Sequence, residues 1–209
     1  KSNETLNFGQ MHGGCNGLHH AMDLLGKSKL WQNREAFKAA ASAPHLKRGV
    51  GISASQHGNG LGNALPNGGT ARIVLRPDGI FEVYVSLEEM GQGLITSIHI
   101  IAAEALKTDY ENIRVINGNT ALAPDTGSTT ASQATFVGGN AVIAAVSDFL
   151  SNARQALHGR DLQVQNRLLL DGKPSSWREI AALLPEANLK GEGGFEVPIS
   201  DIKIQIGLH

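Results

Sequence analysis

The sequence predicts an α+β fold, a mixed sheet in which a β-hairpin is followed by helix, strand and helix, with a helical N-terminal arm. Three observations carry this. Ala71–Arg76 and Ile80–Val85 alternate apolar and polar residues on either side of Pro77-Asp78-Gly79, so two half-buried strands meet at a turn. Leu94 to Leu106 places apolar residues at 94, 95, 98, 101, 102, 105 and 106, which is one face of a helix. Ile113–Ile116 then reads as a strand and Gly139–Leu157 as a second helix, with no internal repeat along the chain.

The remaining elements follow in order. Residues 1 to 17 are polar and carry Gly9, Gly13, Gly14 and Gly17, the composition of a loop. Leu18 to Ala43 spaces Leu18, Ala21, Met22, Leu25, Trp31, Phe37 and Ala40 at helical intervals, with Gly26 as the expected division into two helices and Pro44 as the close. Arg48–Ala54 reads as a first strand and His57–Gly69 as a glycine-rich loop. Beyond the second helix, Leu168–Leu170 with Asp171-Gly172 reads as a short strand and turn, and Ser175–Glu179 as a capping box opening a helix to Leu184, ended by Pro185. Ile202–Ile206 alternates as a terminal strand. The expected division is an arm over 1–47, a core domain over 48–160 and a small C-terminal α/β unit over 161–209.

Composition narrows the function classes. A chain of 209 residues with 41% hydrophobic content can build a proper core. Its formal charge is −1 with Lys and Arg scattered, so neither a nucleic acid nor a membrane surface is an expected partner. No apolar run reaches the roughly 20 residues that cross a bilayer, and the N-terminus lacks a charged-then-apolar signal pattern. The lone Cys15 cannot form an internal disulfide, which makes a reducing cytoplasm the expected location. The chain opens at Lys1 and closes on a strand without a sequential partner, so it reads as an excised or separately expressed segment.

Two loops carry the chemistry. Glu89-Met90-Gly91-Gln92-Gly93 stands between an alternating strand and an amphipathic helix, and Thr126-Gly-Ser-Thr-Thr-Ala-Ser-Gln133 follows the next strand. A strand that turns through glycines into a helix start presents unpaired N–H groups and the positive end of the helix dipole, a setting for phosphate. The glycines could equally serve a tight turn, and the Thr and Ser residues could cap the following helix. Because the first helix returns the chain to the same sheet edge, the two loops are expected side by side. His57-Gly-Asn-Gly-Leu-Gly62 lacks the lysine of a phosphate loop and reads as a connection. His19-His20 has no further ligand at metal spacing, so no protein-ligated metal is expected.

Glu89-Met90-Gly91-Gln92-Gly93-Leu94, Ala102-Ala103-Glu104-Ala105-Leu106, Ile113-Arg114-Val115, Asn119-Thr120, Pro124-Asp125-Thr126, Thr129-Thr130-Ala131-Ser132 and Gly138-Gly139-Asn140-Ala141 together resemble the molybdenum hydroxylases, the xanthine dehydrogenases and aldehyde oxidoreductases. The resemblance runs in order over residues 70 to 150. It implies an internal segment of a molybdenum subunit that binds molybdenum-molybdopterin, plain or as its cytosine dinucleotide. Met90, Gly91, Gln92 and Gly93 would contact the cofactor, and Ala131, Ser132, Gln133 and Ala134 would close over the same phosphates. Relatives often carry serine where this chain has Ala134, and Gln133 either substitutes for that hydroxyl or faces solvent. The implied partners are the remainder of the subunit, iron–sulfur and FAD domains or subunits, and an aldehyde or N-heterocycle as substrate. Glu192 in Gly191-Glu-Gly-Gly194 superficially matches the glutamate base of the family, but the residues after it do not, so it reads as an exposed turn residue. The segment is then expected to be inactive alone. A non-catalytic binding or assembly module with purely structural glycine loops is the alternative.

Overall fold

The computed structural model describes residues 17–54, 56–59, 67–197 and 205–208. The expected loop over 1–17, Cys15, the middle of the His57–Gly69 loop and the start of the terminal strand lie almost wholly outside these. In chain order the elements are α1 (Gly17–Lys27), α2 (Lys29–Gln32), α3 (Arg34–Ala39), β1 (Gln56–Asn59), β2 (Gly68–Leu75), β3 (Phe81–Val85) and α4 (Leu94–Leu106). There follow β4 (Ile113–Asn117), α5 (Ala134–Ala156), β5 (Leu162–Val164), β6 (Leu168–Leu170), β7 (Lys173–Pro174), α6 (Trp177–Leu183), β8 (Lys190–Glu196) and β9 (Gln205–Leu208). Single 3-10 turns precede β4 and β8.

The chain divides into two units, residues 1–59 with 203–209, and residues 60–202. In the first, the arm forms three helices rather than two. The break falls at Ser28, whose hydroxyl accepts from Trp31 N at 3.3 Å and caps α2, and Gly26 stays inside α1. Arg48–Ala54 carries no strand, contrary to expectation. Gly49 and Gly51 weaken it, and the strand forms at β1 instead, where β9 supplies an antiparallel partner.

The larger unit is built on a four-stranded mixed sheet ordered β4-β3-β2-β8. β2 and β3 form the expected hairpin, closed by Arg76 N to Ile80 O at 2.8 Å and by Ile80 N to Asp78 Oδ1 at 3.1 Å. α4 then crosses over and β4 lies parallel to β3. Ala71, Ile73 and Leu75 of β2 and Phe81, Val83 and Val85 of β3 are buried with α4 and α5 in one core. Each such large apolar side chain contributes about 1.5–3 kcal/mol. The alternate residues form a polar face, where Glu82 accepts from the Tyr84 hydroxyl at 2.7 Å and pairs with Arg76 at 3.8 Å and Arg114 at 3.5 Å.

Three differences from the sequence reading have physical causes. α5 begins at Ala134, five residues ahead of Gly139: Ala134, Val137 and Ala141 continue its apolar stripe toward the N-terminus, while no side-chain cap marks the start. It is long and apolar enough to cross a membrane by length and composition alone, yet its buried stripe, from Val137 to Ala153, packs into the core. Residues 190–196 form strand β8, so Glu192 is a strand residue and not a turn residue. Gly191 and Gly193 are there for space: a Cβ on either would overlap the α5 backbone around Ala145.

Sheet and core both draw on residues beyond 160. β8 pairs with β2, and Leu162, Leu168, Leu170, Trp177 and Ile180 share the buried cluster of the sheet. Phe81 packs edge-on against Phe149 at 5.3 Å and against Trp177 at 4.9 Å, tying α6 to β3. The capping box of α6 forms at Ser176 with Glu179, one residue later than its expected start, and Ser175 also donates to Glu179 at 2.9 Å.

Candidate functional site

Because β3 and β4 run parallel as neighbours, the loops after them leave from the same edge of the sheet. They lie side by side and are stapled together. Ser86 N donates to Thr126 Oγ1 at 2.8 Å, Thr126 N returns a bond to Ser86 Oγ at 3.0 Å, and Glu88 N donates to Thr129 Oγ1 at 2.8 Å. Asn117, at the end of β4, brackets Leu87 by accepting from its N–H at 2.9 Å and donating to its carbonyl at 2.7 Å. Thr126 is 1% exposed, and its side chain is therefore a structural staple between the loops. Removing its hydroxyl by Thr126→Val should cost about 1–3 kcal/mol, since Ser86 N is left without an acceptor. Chemical denaturation reads this, and a loss below about 0.5 kcal/mol would show the staple to be dispensable.

The first loop is exposed from Glu88 to Gly93, with Met90 74% exposed. Gly91 at φ 100° and Gly93 at φ 80° adopt the left-handed conformation that the turn requires. The Glu89 carboxylate accepts from Gly91 N at 2.8 Å, Gly93 N at 3.1 Å and Ile95 N at 3.0 Å. The Ile95 amide first, then those of Gly93 and Gly91, hold this carboxyl below the usual glutamate range. Gln92 folds back, accepting from Met90 N at 2.6 Å and donating to Glu88 O at 2.7 Å.

The second loop is strained and less satisfied. Ala131 at φ 49° and Ser132 at φ 57° are left-handed without being glycine, at about 1–2 kcal/mol each. Gln133 does not face solvent. It is 5% exposed, its Oε1 has no hydrogen-bond partner among the described residues, and it stands at the N-cap of α5 without a side-chain cap bond. No acidic residue lies in the first turn of α5, and Ala134, its first residue, packs against the core. An uncapped helix start beside a partly exposed polar loop suits an anionic ligand.

The sequence reading singled out both loops but gave no role to Glu89 within the first of them or to the residues that join the two. Glu89 could have been found, because an acid just ahead of a glycine-led helix start is a dipole signal. Thr126, Thr129 and Asn117 carry no such signal, since their roles depend on the parallel register of β3 and β4.

The family of the molybdopterin cofactor-binding domain matches residues 24–205. A probable xanthine dehydrogenase subunit of Bacillus subtilis (strain 168) is 29% identical over 139 residues, 66% of this chain and 18% of the relative. Among solved structures, the aldehyde oxidoreductase of Desulfovibrio gigas aligns with TM-score 0.63 and 26% identity over 94% of this chain and 20% of its own. The aldehyde oxidoreductase of Desulfovibrio desulfuricans ATCC 27774 aligns with TM-score 0.64 and 22% identity over 100% of this chain and 22% of its own, a likeness of fold. The chain thus spans about a fifth of the length of these relatives. With both loops joined at one sheet edge and the family match running through them, the chain belongs to the molybdopterin cofactor-binding domain family.

Proposed function

We propose that the chain is a cofactor-holding segment of a molybdenum hydroxylase acting on an aldehyde or an N-heterocycle. The observation that carries this is the pairing of the two loops beside the uncapped start of α5, where Gln133 Oε1 is buried without a partner among the described residues. Met90, Gly91, Gln92 and Gly93 on one side and Ala131, Ser132, Gln133 and Ala134 on the other would contact molybdenum-molybdopterin or its cytosine dinucleotide. When bound, that group supplies the redox chemistry by which a water-derived oxygen is added to the substrate. The chain's own residues bind and orient it. Partner domains or subunits with iron–sulfur clusters and FAD would take the electrons.

No side chain here is assigned as acid or base. Glu192 is exposed on β8 and lies 3.6 Å from Arg72 on the polar face of the sheet, a pairing that accounts for it without catalysis. The isolated chain should therefore be silent with xanthine, aldehydes or nicotinate and an artificial electron acceptor. Turnover above background would overturn that.

The decisive test is metal and pterin analysis of the full subunit produced in a molybdenum-replete host. An assembly module would carry neither. In that subunit Gln92→Ala should lower molybdenum content more than Glu192→Ala, because the first opens the clip between Met90 N and Glu88 O that shapes the loop, whereas the second removes one exposed ion pair. Equal effects would remove the reason for placing the cofactor at the first loop.

A further inference from the structure

The first loop carries its own anion. Glu89 Oε1 takes Gly91 N and Gly93 N, and Oε2 takes Ile95 N, so the carboxylate spans the turn and the start of α4. We infer that Glu89 is the positioning residue of this loop: it fills the α4 amide cluster in place of an external phosphate and holds the Met90–Gly93 turn in shape.

Two observations lead here. First, packing does not hold the turn. Every residue from Glu88 to Gly93 is exposed, and a Cβ added at Gly91 or Gly93 would meet nothing within 4 Å. What shapes it is the set of bonds from Glu89 and the Gln92 clip from Met90 N to Glu88 O. Second, a helix start can neutralise one anion, and a phosphate brought to the Gly91, Gly93 and Ile95 amides meets like charge at donors already taken by the carboxylate. α5 differs, with neither a side-chain cap nor an acid in its first turn.

The consequence deepens the cofactor reading and rests on it. The first loop would meet the cofactor through Met90, its carbonyls and the outer edge of Gln92, and would leave the phosphates to the rest of the site. The positioning role itself stands on the loop alone.

Amide-resolved hydrogen exchange on the 209-residue chain tests it, with Glu89→Ala and Glu89→Gln beside the unaltered protein, each with and without acetate and inorganic pyrophosphate. In Glu89→Ala the Gly91, Gly93 and Ile95 amides should exchange roughly tenfold faster while those of β2 and β3 keep their protection. Acetate should restore part of that protection in Glu89→Ala and change nothing in the unaltered chain. Pyrophosphate should shift these three amides in the variant only. If Glu89→Ala loses the sheet as well, the neutral isostere Glu89→Gln carries the same comparison. Unchanged exchange in both variants, or pyrophosphate shifts of equal size at these amides in the unaltered chain, would overturn the inference. A subunit that binds no pterin would instead remove the cofactor reading and leave the exchange result standing.

Discussion

Phe149→Ala should lower the unfolding free energy of the 60–202 unit by about 4 kcal/mol, near the top of the range for a buried aromatic. Phe149 is fully buried on α5, edge-on to Phe81 at 5.3 Å and tilted against Trp177 at 5.9 Å. The hole cannot close easily. Gly191 lies directly opposite, where even a Cβ would stand 2.7 Å from that of Phe149, so β8 has no side chain to move into the space. The surrounding Phe81 and Trp177 are held by their own strand and helix and would lose their contacts with the Phe149 ring as well. Phe136→Ala is the control: Phe136 is 52% exposed and touches Phe195 at 5.3 Å, so its loss should cost about 1 kcal/mol. Urea denaturation followed by circular dichroism compares the two. A Phe149→Ala loss below about 1.5 kcal/mol would show that the core relaxes around the hole.

The second large effect comes from adding atoms. Gly191→Ala and Gly193→Ala should each destabilise the same unit by about 3 kcal/mol, the upper part of the cost of overpacking. At both positions the new methyl group meets backbone and not a movable side-chain end: Ala145 and Phe149 for Gly191, Ala144 and Ala145 for Gly193. To fit it, α5 must lift off the strand along its length, and the buried residues between Val142 and Phe149 lose contact together. Gly194 is on the other face of the same strand, where a Cβ would come 3.3 Å from Thr70 Cγ2, a single methyl group that can give. Gly194→Ala should cost under about 1 kcal/mol. Thermal or chemical denaturation of the three variants decides it, and equal losses at 191, 193 and 194 would mean that strand propensity, not the helix above, sets the cost.

Those glycines also explain what the sequence could and could not disclose. The β2–β3 hairpin and α4 were legible because each buries one face and so prints its period on the chain, as Ile73 and Leu75 do in β2 and Leu94, Ile98 and Ala102 in α4. β8 buries its face with glycines at 191 and 193, which print nothing that distinguishes a strand from a turn. The same holds for the site. The two loops stood out through their glycines and through resemblance to a family, and their adjacency followed from the crossover. That Glu89 occupies the first cluster of amides was signalled by an acid standing just ahead of a glycine-led helix start, whereas its exact partners depend on the turn closed by Gly91 and Gly93. The burial of Gln133 at the start of α5 likewise follows two left-handed residues, Ala131 and Ser132, whose conformation their own preference does not specify.

The order of strands has a kinetic consequence. β3, α4 and β4 assemble from nearby residues, but the edge of β2 waits for β8, whose Lys190 pairs with Val74 only after nearly the whole unit has been synthesised. Closing so long a loop is slow, and until it closes β2 presents an open row of N–H and C=O groups to any strand it meets. During synthesis that edge is the place where two nascent chains would join, so chaperone protection or slow, dilute production should matter more to the yield of this domain than its final stability.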